Sequence, residues 1–312
     1  MPPPDAPAAT RRRLLCLVLL FAGLLLPGAA PARSGAEGPP QGFRAYLPVQ
    51  RKPAPSRCEP IPEEHYAAIP VEPGTGGPVP AEQHPDLNLA LRGYREHPTA
   101  YRGLVDYGGG VDIHAPQLLT LFADRRPPTF ARVYQVYQWD GQWPGEYGVI
   151  PITDPEVTLA GLATQRGEPV YLPDRAPDIY QWHYIALVLY ATPERITLKY
   201  TREDNVVEGY TVHIEGLCVE PRLLALYEQS VAGGRSHLPG LERGQAIGRA
   251  TGSELGVVIR DNGSFMDPRS RKDWWQALAG SGPVPQIDAG ASAWFVARQQ
   301  ALAERAAATP EP

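Results

Sequence analysis

Short runs of alternating apolar and polar residues recur along most of the chain. They are rich in Val, Ile, Tyr and Thr, which pack well on a pleated sheet, and turn residues separate them. Asn262-Gly263 follows the last run and predicts a tight hairpin turn. We therefore predict β-strands at residues 87–94, 103–107, 130–139, 156–163, 168–172, 183–191, 195–201, 208–217 and 255–260.

Three segments have helical spacing instead. Residues 221–232 begin with a proline and place Leu223, Leu224 and Tyr227 on one side, as in a helix that packs on a core. Residues 271–279 predict a short helix, and the Ala-rich residues 291–308 predict a C-terminal helix. Many strands with few helices favour a mainly β fold, a sandwich or barrel with a C-terminal helix.

The first apolar run, Leu14–Leu26, predicts a secretory signal peptide over residues 1–32. Three arginines precede it and Ala30-Pro31-Ala32 follows it, which is the order that a signal peptidase reads. A membrane-spanning helix needs about 20 apolar residues, so this run of 13 makes a retained anchor the lesser alternative. Arg11-Arg12 leaves a twin-arginine signal open. Cys16 stands at the start of the run, so we reject lipidation.

The segment after the signal is rich in proline and glycine. Residues 33–85 therefore predict a disordered arm or linker, with or without a role as a spacer. We expect the mainly β globular domain at residues 86–290 and a helix and tail at 291–312. Without residues 1–32, no apolar stretch is long enough to span a membrane.

Charge excludes one class of partner. The chain has 29 Lys and Arg against 34 Asp and Glu, a net charge of -5, without a basic cluster after residue 32. Nucleic-acid binding needs a basic face, so we expect no nucleic-acid partner. Cys58 and Cys218 are the two cysteines outside the signal, and export would allow a disulfide between them. Two free thiols remain the alternative, because the sequence gives no distance.

Residues 156–268 resemble a lysostaphin-type zinc endopeptidase barrel. EVTLAGLATQRGEPVYLP is similar to its opening strand, ITLKYTREDNVVEGYTVHIEGL to its central hairpin, and LERGQAIGRATGSELGVVIRDNGSFMDP to its closing segment. The resemblance implies a β-barrel core. It also implies zinc bound through His-x-x-x-Asp and His-x-His motifs.

Those zinc ligands are missing from this chain. Asp112 fits the Asp position, but the residue four places earlier is Gly108. The late motif falls at Ser253, Leu255 and Val257, without a histidine. A catalytic zinc site needs three protein ligands and an open position. The resemblance therefore implies a barrel without peptidase activity, which would bind glycan or a partner protein.

Two pairs of polar residues predict an alternative metal site. Asp112 and His114, and His213 and Glu215, are each two residues apart and would share one face of a strand. If the strands met, four N and O ligands would suit zinc. Ordinary outward-facing strand positions are the other interpretation. We expect no cofactor, with zinc as the alternative.

Aromatic and acidic residues also occur together, which is typical of sugar-binding surfaces. The candidate ligand-binding residues are Trp139, Asp140, Trp143, Asp267 and Trp274. For Trp139, Asp140 and Trp143, the alternative is a turn at Asp140-Gly141 beside a half-buried strand. For Asp267 and Trp274, the alternative is that Asp267-Pro268 with its neighbouring arginines caps the domain and that Trp274-Trp275 packs as a lid on the core.

The sequence thus favours a secreted or extracytoplasmic module, at the cell surface or free. We expect it to bind cell-wall glycan or an extracytoplasmic protein without catalysis. A secreted hydrolase of cell-wall or polysaccharide substrate, using either the metal set or two carboxylates, is the first alternative. A protein interaction scaffold is the second. Neither a Gly-x-Ser-x-Gly motif nor a Gly-rich phosphate loop is present.

Overall fold

The computed structural model describes residues 58–72, 79–139, 150–181 and 183–282, and the backbone of residues 286–287. Strands outnumber helices in these residues, so the mainly β prediction is confirmed. In chain order the strands are β1 (Ala67–Pro70), β2 (Tyr94–Glu96), β3 (Asp106–Tyr107), β4 (Phe130–Val136), β5 (Leu159–Ala163), β6 (Pro169–Tyr171), β7 (Tyr184–Thr192), β8 (Arg195–Lys199), β9 (Tyr210–Glu215), β10 (Leu217–Val219), β11 (His237–Glu242), β12 (Ala246–Ala250), β13 (Glu254–Asp261), β14 (Ser264–Met266) and β15 (Gln286–Ile287). The helices are α1 (Pro221–Ala232) and α2 (Arg271–Trp274), with 3₁₀ turns at Ala81–Gln83, Leu89–Leu91, Leu118–Leu121 and Gln276–Leu278.

One large antiparallel sheet organises the molecule. Its strand order is β1-β11-β7-β8-β9-β13-β5-β4-β2, and β14 joins it as a tenth strand beside β13. A three-stranded sheet has the order β10-β12-β6, and β3 pairs in parallel with β15. The end strands β1 and β2 do not pair with each other, so the large sheet does not close into a barrel in the part of the chain described here.

Alternation along the central strands gives the large sheet two different faces. On β9, Val212 and Ile214 point into the main apolar core, whereas Thr211, His213 and Glu215 lie on the opposite face. Neighbouring β8 and β13 repeat this arrangement in register. The second face is therefore polar along its centre, with a smaller apolar cluster around Leu159, Val258 and Phe265.

Helix α1 has the bounds that the sequence predicts. Pro221 occupies its first turn, where its missing N–H costs nothing. The Glu220 carboxylate caps the start by accepting from the backbone N–H groups of Arg222 (2.7 Å) and Leu223 (3.0 Å). Leu223 and Tyr227, four residues apart, are buried against the core.

The predicted turn at Asn262-Gly263 is confirmed. It joins β13 to β14, where Asp261 pairs with Ser264. Asn262 and Gly263 have φ angles of 43° and 82°, and the two-residue hairpin turn of this kind needs positive φ at both positions.

Two strand predictions need correction. Residues 87–94 form the 3₁₀ turn Leu89–Leu91 and only then reach β2, because the segment crosses the polar face of the sheet. Residues 208–217 divide at Gly216, whose φ is 74°, into β9 and β10 of different sheets. Strand β11 was not predicted, since Pro239 and Gly240 interrupt its pattern.

The predicted arm is also partly wrong. Its residues from Cys58 to Val71 belong to the fold: β1 pairs with β11 at the edge of the large sheet, and Ile61 and Ile69 are buried. The globular domain therefore begins well before residue 86. A short alternating strand among prolines gives too weak a pattern to be recognised from sequence.

The segment after β14 forms a buried cap. Trp274 and Trp275 are 1% exposed, and their indole N–H groups donate to the carbonyls of Asp267 (2.7 Å) and Pro268 (3.0 Å). The Asp267 carboxylate accepts from the Tyr107 hydroxyl (2.6 Å) and pairs with Arg269 (2.7 Å). The predicted packing of Trp274-Trp275 on the core is confirmed.

The signal over residues 1–32, residues 33–57 of the predicted arm and the C-terminal helix at 291–308 lie outside the described residues. In the part that is described, no helix combines the length and the apolar character needed to cross a membrane.

Candidate functional site

The structure does not bring the four predicted metal ligands together. Asp112 accepts from the Tyr210 hydroxyl (2.7 Å), and Tyr210 projects from the core face of β9. His213 and Glu215 project from the other face of the same strand, so the sheet lies between the two pairs. The prediction that these four side chains converge on one metal site is therefore wrong. No cluster of three His, Cys, Asp or Glu suited to a metal ion occurs among the described side chains.

Asp112 and His114 are not on a strand either. They lie in a turn, where the Asp112 carboxylate accepts from the backbone N–H of His114 (2.8 Å). An Asp whose carboxylate accepts from the backbone N–H two residues ahead is typical of turns. The two-residue spacing of Asp112 and His114 therefore reflects a turn and not a strand.

His213 is a neutral core histidine. It is 1% exposed, and its Nδ1 is 3.0 Å from the hydroxyl of Thr197, which donates to the carbonyl of Leu87 (2.7 Å). Since that hydroxyl proton is already used, Nδ1 donates to the oxygen. Burial, and next the nearby Arg260 guanidinium, lower the pKa of His213 to about 3.

Glu215 lies two residues further along β9, where the polar face opens to solvent. Its carboxylate pairs with Nε of Arg195 on β8, at 2.9 Å. Burial raises the pKa of Glu215, and Arg195 opposes part of that rise. A carboxyl group perturbed in this way within a cleft marks a candidate functional site.

That cleft, here called the polar cleft, has a volume of about 380 Å³. Two arginines, two glutamates and a tyrosine ring give it both charge and an aromatic surface. Its lining includes Tyr94, Arg166, Glu194, Arg195, Glu215 and Thr251. Tyr94, on the edge strand β2, is 39% exposed.

Glycines on the neighbouring strands make room for the glutamates. A Cβ on Gly256, opposite Glu215, would come within 3.2 Å of the Glu215 Cβ. A Cβ on Gly161 would lie 2.5 Å from the Glu254 carboxyl carbon. A side chain at Gly161 would therefore displace the Glu254 carboxylate, and one at Gly256 would press on the Glu215 side chain.

Glu254 is the second carboxylate on this face. Its oxygens accept from the Tyr134 hydroxyl (2.5 Å) and from Nε of Arg132 (2.8 Å). The Tyr94 ring meets the Tyr134 ring edge-on, with centroids 5.3 Å apart. Burial raises the pKa of Tyr94, and the charge of Glu215 adds to this. Tyr94 thus packs against the tyrosine that binds Glu254 and lines the cleft together with Glu215.

The predicted ligand-binding residues do not form one site. Asp267 and Trp274 are 4% and 1% exposed and belong to the buried cap, so their assignment to ligand binding is wrong. Asp140 and Trp143 lie outside the described residues. Trp139 lines a larger cleft of about 640 Å³, here called the apolar cleft, with Val71, Val79, Pro80, Leu87 and Val207.

Cys58 and Cys218 form a disulfide, with their Cα atoms 5.9 Å apart. This separation is usual for such a bond. The bridge ties the start of the described chain to β10, which agrees with the pairing that the sequence left open.

Sequence reasoning missed Tyr94, Arg195 and Glu254. A signal was present, because polar residues fill every second position of Arg195–Lys199 and of Thr211–Glu215. Such alternation predicts a polar sheet face, but it does not show that the two strands are neighbours.

Comparison with known proteins assigns no relative: no protein-family model matches the chain, and no curated protein sequence matches it.

Proposed function

We propose that this protein is an exported, non-catalytic module that binds cell-envelope glycan in the polar cleft. The observation that carries the proposal is the Tyr94 ring, which stands exposed beside the Arg195–Glu215 ion pair. A sugar presents an apolar ring face and a rim of hydroxyls. An aromatic ring with charged hydrogen-bonding partners complements both.

The lysostaphin-type resemblance supports a cell-wall ligand. All the lining residues named above except Tyr94 lie within residues 156–268, where the resemblance was found. The positions where that family's late zinc motif would fall carry Ser253, Leu255 and Val257 here, without a histidine. This composition favours binding without the metal chemistry of the family.

Export rests on the predicted signal peptide over residues 1–32. The Cys58–Cys218 disulfide supports it, since such bonds persist in oxidising compartments outside the cytoplasm. Secretion followed by cell-surface attachment is consistent with a wall ligand.

Retention on insoluble peptidoglycan and on a panel of polysaccharides tests the proposal. We expect the protein to be retained on at least one polymer. Tyr94→Ala should weaken retention about tenfold, because the stacking surface is lost. Tyr94→Phe, which keeps the ring, should retain most of it.

Tyr101→Ala is the matched control. Tyr101 is 52% exposed and does not line the polar cleft, so this variant should bind as the original protein does. Absence of retention on every polymer, or equal retention of the Tyr94→Ala and Tyr101→Ala variants, would contradict glycan binding in the polar cleft.

A second candidate function is glycoside hydrolysis. It is favoured by the positions of Glu215 and Glu254, which lie on one face of adjacent strands: Glu215 pairs with Gly256, two residues from Glu254. Hydrolysis of this kind uses two carboxyl groups, one of them kept protonated by its surroundings. Release of reducing ends, lost in both Glu215→Gln and Glu254→Gln, would support it; binding without any release would exclude it.

A further inference from the structure

The apolar cleft lies at the opposite end of the β8–β9 hairpin from the polar cleft. Arg195 pairs with Glu215 at one end of the hairpin, and Lys199 pairs with Thr211 at the other. The connection beyond Lys199 contributes residues 204–207 to the apolar cleft. Its volume of about 640 Å³ falls within the range of ligand sites.

The acidic side chains that line the apolar cleft are already neutralised by arginines. Asp204 accepts from Nε of Arg235 at 2.8 Å. Asp86 accepts from Nε of Arg92 at 2.9 Å and pairs with Arg260 at 3.0 Å. Glu72 pairs with Arg202. A ligand therefore needs no charge of its own, and the apolar walls favour an uncharged one.

His84 adds a hydrogen-bond donor to this lining. Its Nδ1 accepts from the backbone N–H of Asp86 (3.1 Å). Burial lowers the pKa of His84; Asp86 opposes this effect, and Arg260 and Arg92 add to it. The ring is therefore neutral with its proton on Nε2, and that atom makes no hydrogen bond to the described residues. The cleft thus offers a donor, which a ligand would meet with an acceptor.

We propose that the apolar cleft binds an extended, proline-rich peptide segment. Proline supplies apolar rings and free carbonyl acceptors and lacks the N–H that would need an acceptor in return. Its polyproline II form is extended and ordered before binding, and aromatic-lined grooves recognise it. Trp139, 39% exposed, provides the aromatic surface, and Val207, 53% exposed, is part of the apolar lining. A proline-rich peptide is neutral, which suits a cleft whose acidic side chains are already paired with arginines. Its carbonyl oxygens can accept a hydrogen bond from Nε2–H of His84.

Fluorescence anisotropy of a labelled ten-residue polyproline peptide, titrated with the full chain, tests the proposal. We expect saturable binding. The Trp139→Ala and Val207→Asp variants should each weaken it at least about tenfold, since they remove the aromatic surface and place a charge in the apolar wall. The His84→Phe variant should weaken it several-fold, because the ring stays but the donor is lost.

Matched controls separate this site from the rest of the surface. His114→Ala and Tyr94→Ala change residues outside the apolar cleft and should leave peptide binding unchanged. Circular dichroism establishes that each variant is folded, and Val207→Asp substitutes an exposed position, so its fold should persist.

Three results would overturn the proposal: no peptide binding by the full chain, equal binding of an alanine-substituted peptide, or unchanged binding in folded Trp139→Ala and Val207→Asp variants. Direct binding of a labelled fatty acid, together with failure of the peptide to bind, would replace it with a lipid site. Because Tyr94→Ala affects only the polar cleft, the glycan proposal succeeds or fails separately.

Discussion

At the scale of single residues, strand β9 shows how one pattern gives two roles. His213 and Glu215 are two residues apart on the same face, yet the first is 1% exposed beside Thr197 and the second lines the polar cleft. Burial favours the neutral form of both side chains, so it lowers the pKa of His213 and raises the pKa of Glu215. His213 therefore affects stability, whereas Glu215 is placed to affect binding.

The buried His213 predicts a specific dependence of stability on pH. The unfolded imidazole takes up a proton near pH 6.5, whereas the folded ring does so only near pH 3. Its contribution is therefore complete above about pH 6.5 and is lost progressively as the pH falls towards 3. The charged groups around it are Arg260, Asp86 and Arg92.

Urea unfolding at a series of pH values measures this effect. In a His213→Gln variant the slope of unfolding free energy against pH between about 4 and 6 should be shallower, because the group that takes up the proton on unfolding is gone. An equal slope in both proteins would assign the acid sensitivity to other groups.

At the scale of elements, local sequence decides the ends of helices and the tight turns. Helix α1 was predicted with its observed bounds because its proline, its cap and its apolar spacing all lie within a few residues. The Asn262-Gly263 hairpin is local in the same way. Strands β1, β11 and β2 were missed or displaced because their partners, and not their own residues, make them strands.

The β13–β14 turn yields the second prediction. Gly263→Ala should lower the free energy of unfolding by about 1–2 kcal/mol, because φ of 82° is unfavourable for a residue with a Cβ. The nearest atom to such a Cβ, the Val206 carbonyl oxygen, is 3.7 Å away, so backbone conformation and not a clash causes the loss.

Gly110→Ala is the comparison for this turn. A Cβ there meets nothing within 4 Å, and φ is not positive, so the change should stay within about 0.5 kcal/mol. Chemical denaturation measures both variants. Equal midpoints for the two would contradict a strained turn.

At the scale of the whole molecule, the Cys58–Cys218 bridge joins residues 160 apart in sequence. It ties the segment that leads into β1, the edge of the large sheet, to β10 of the three-stranded sheet. By restricting the unfolded chain over so long a loop, it should stabilise the fold by about 4–5 kcal/mol.

Thermal unfolding with and without a reductant tests the bridge. The Cys58→Ser/Cys218→Ser double variant should melt at a lower temperature than the oxidised protein. Reductant should lower the melting temperature of the oxidised protein and leave that of the double variant unchanged. If the double variant melts at the same temperature as the oxidised protein, the crosslink does not stabilise this fold.

The sequence by itself determined the mainly β class, most of the central strands, helix α1 and the hairpin turn. Each depends on residues close together in the chain, whose spacing selects a period of two or of 3.6. It could not determine that Asp112 lies across the sheet from His213, which of the two interpretations of Trp274 is correct, or that residues 58–71 complete the sheet. Only the tertiary structure brought Tyr94 beside Arg195 and Glu215, because strand partners are chosen by packing across the whole chain.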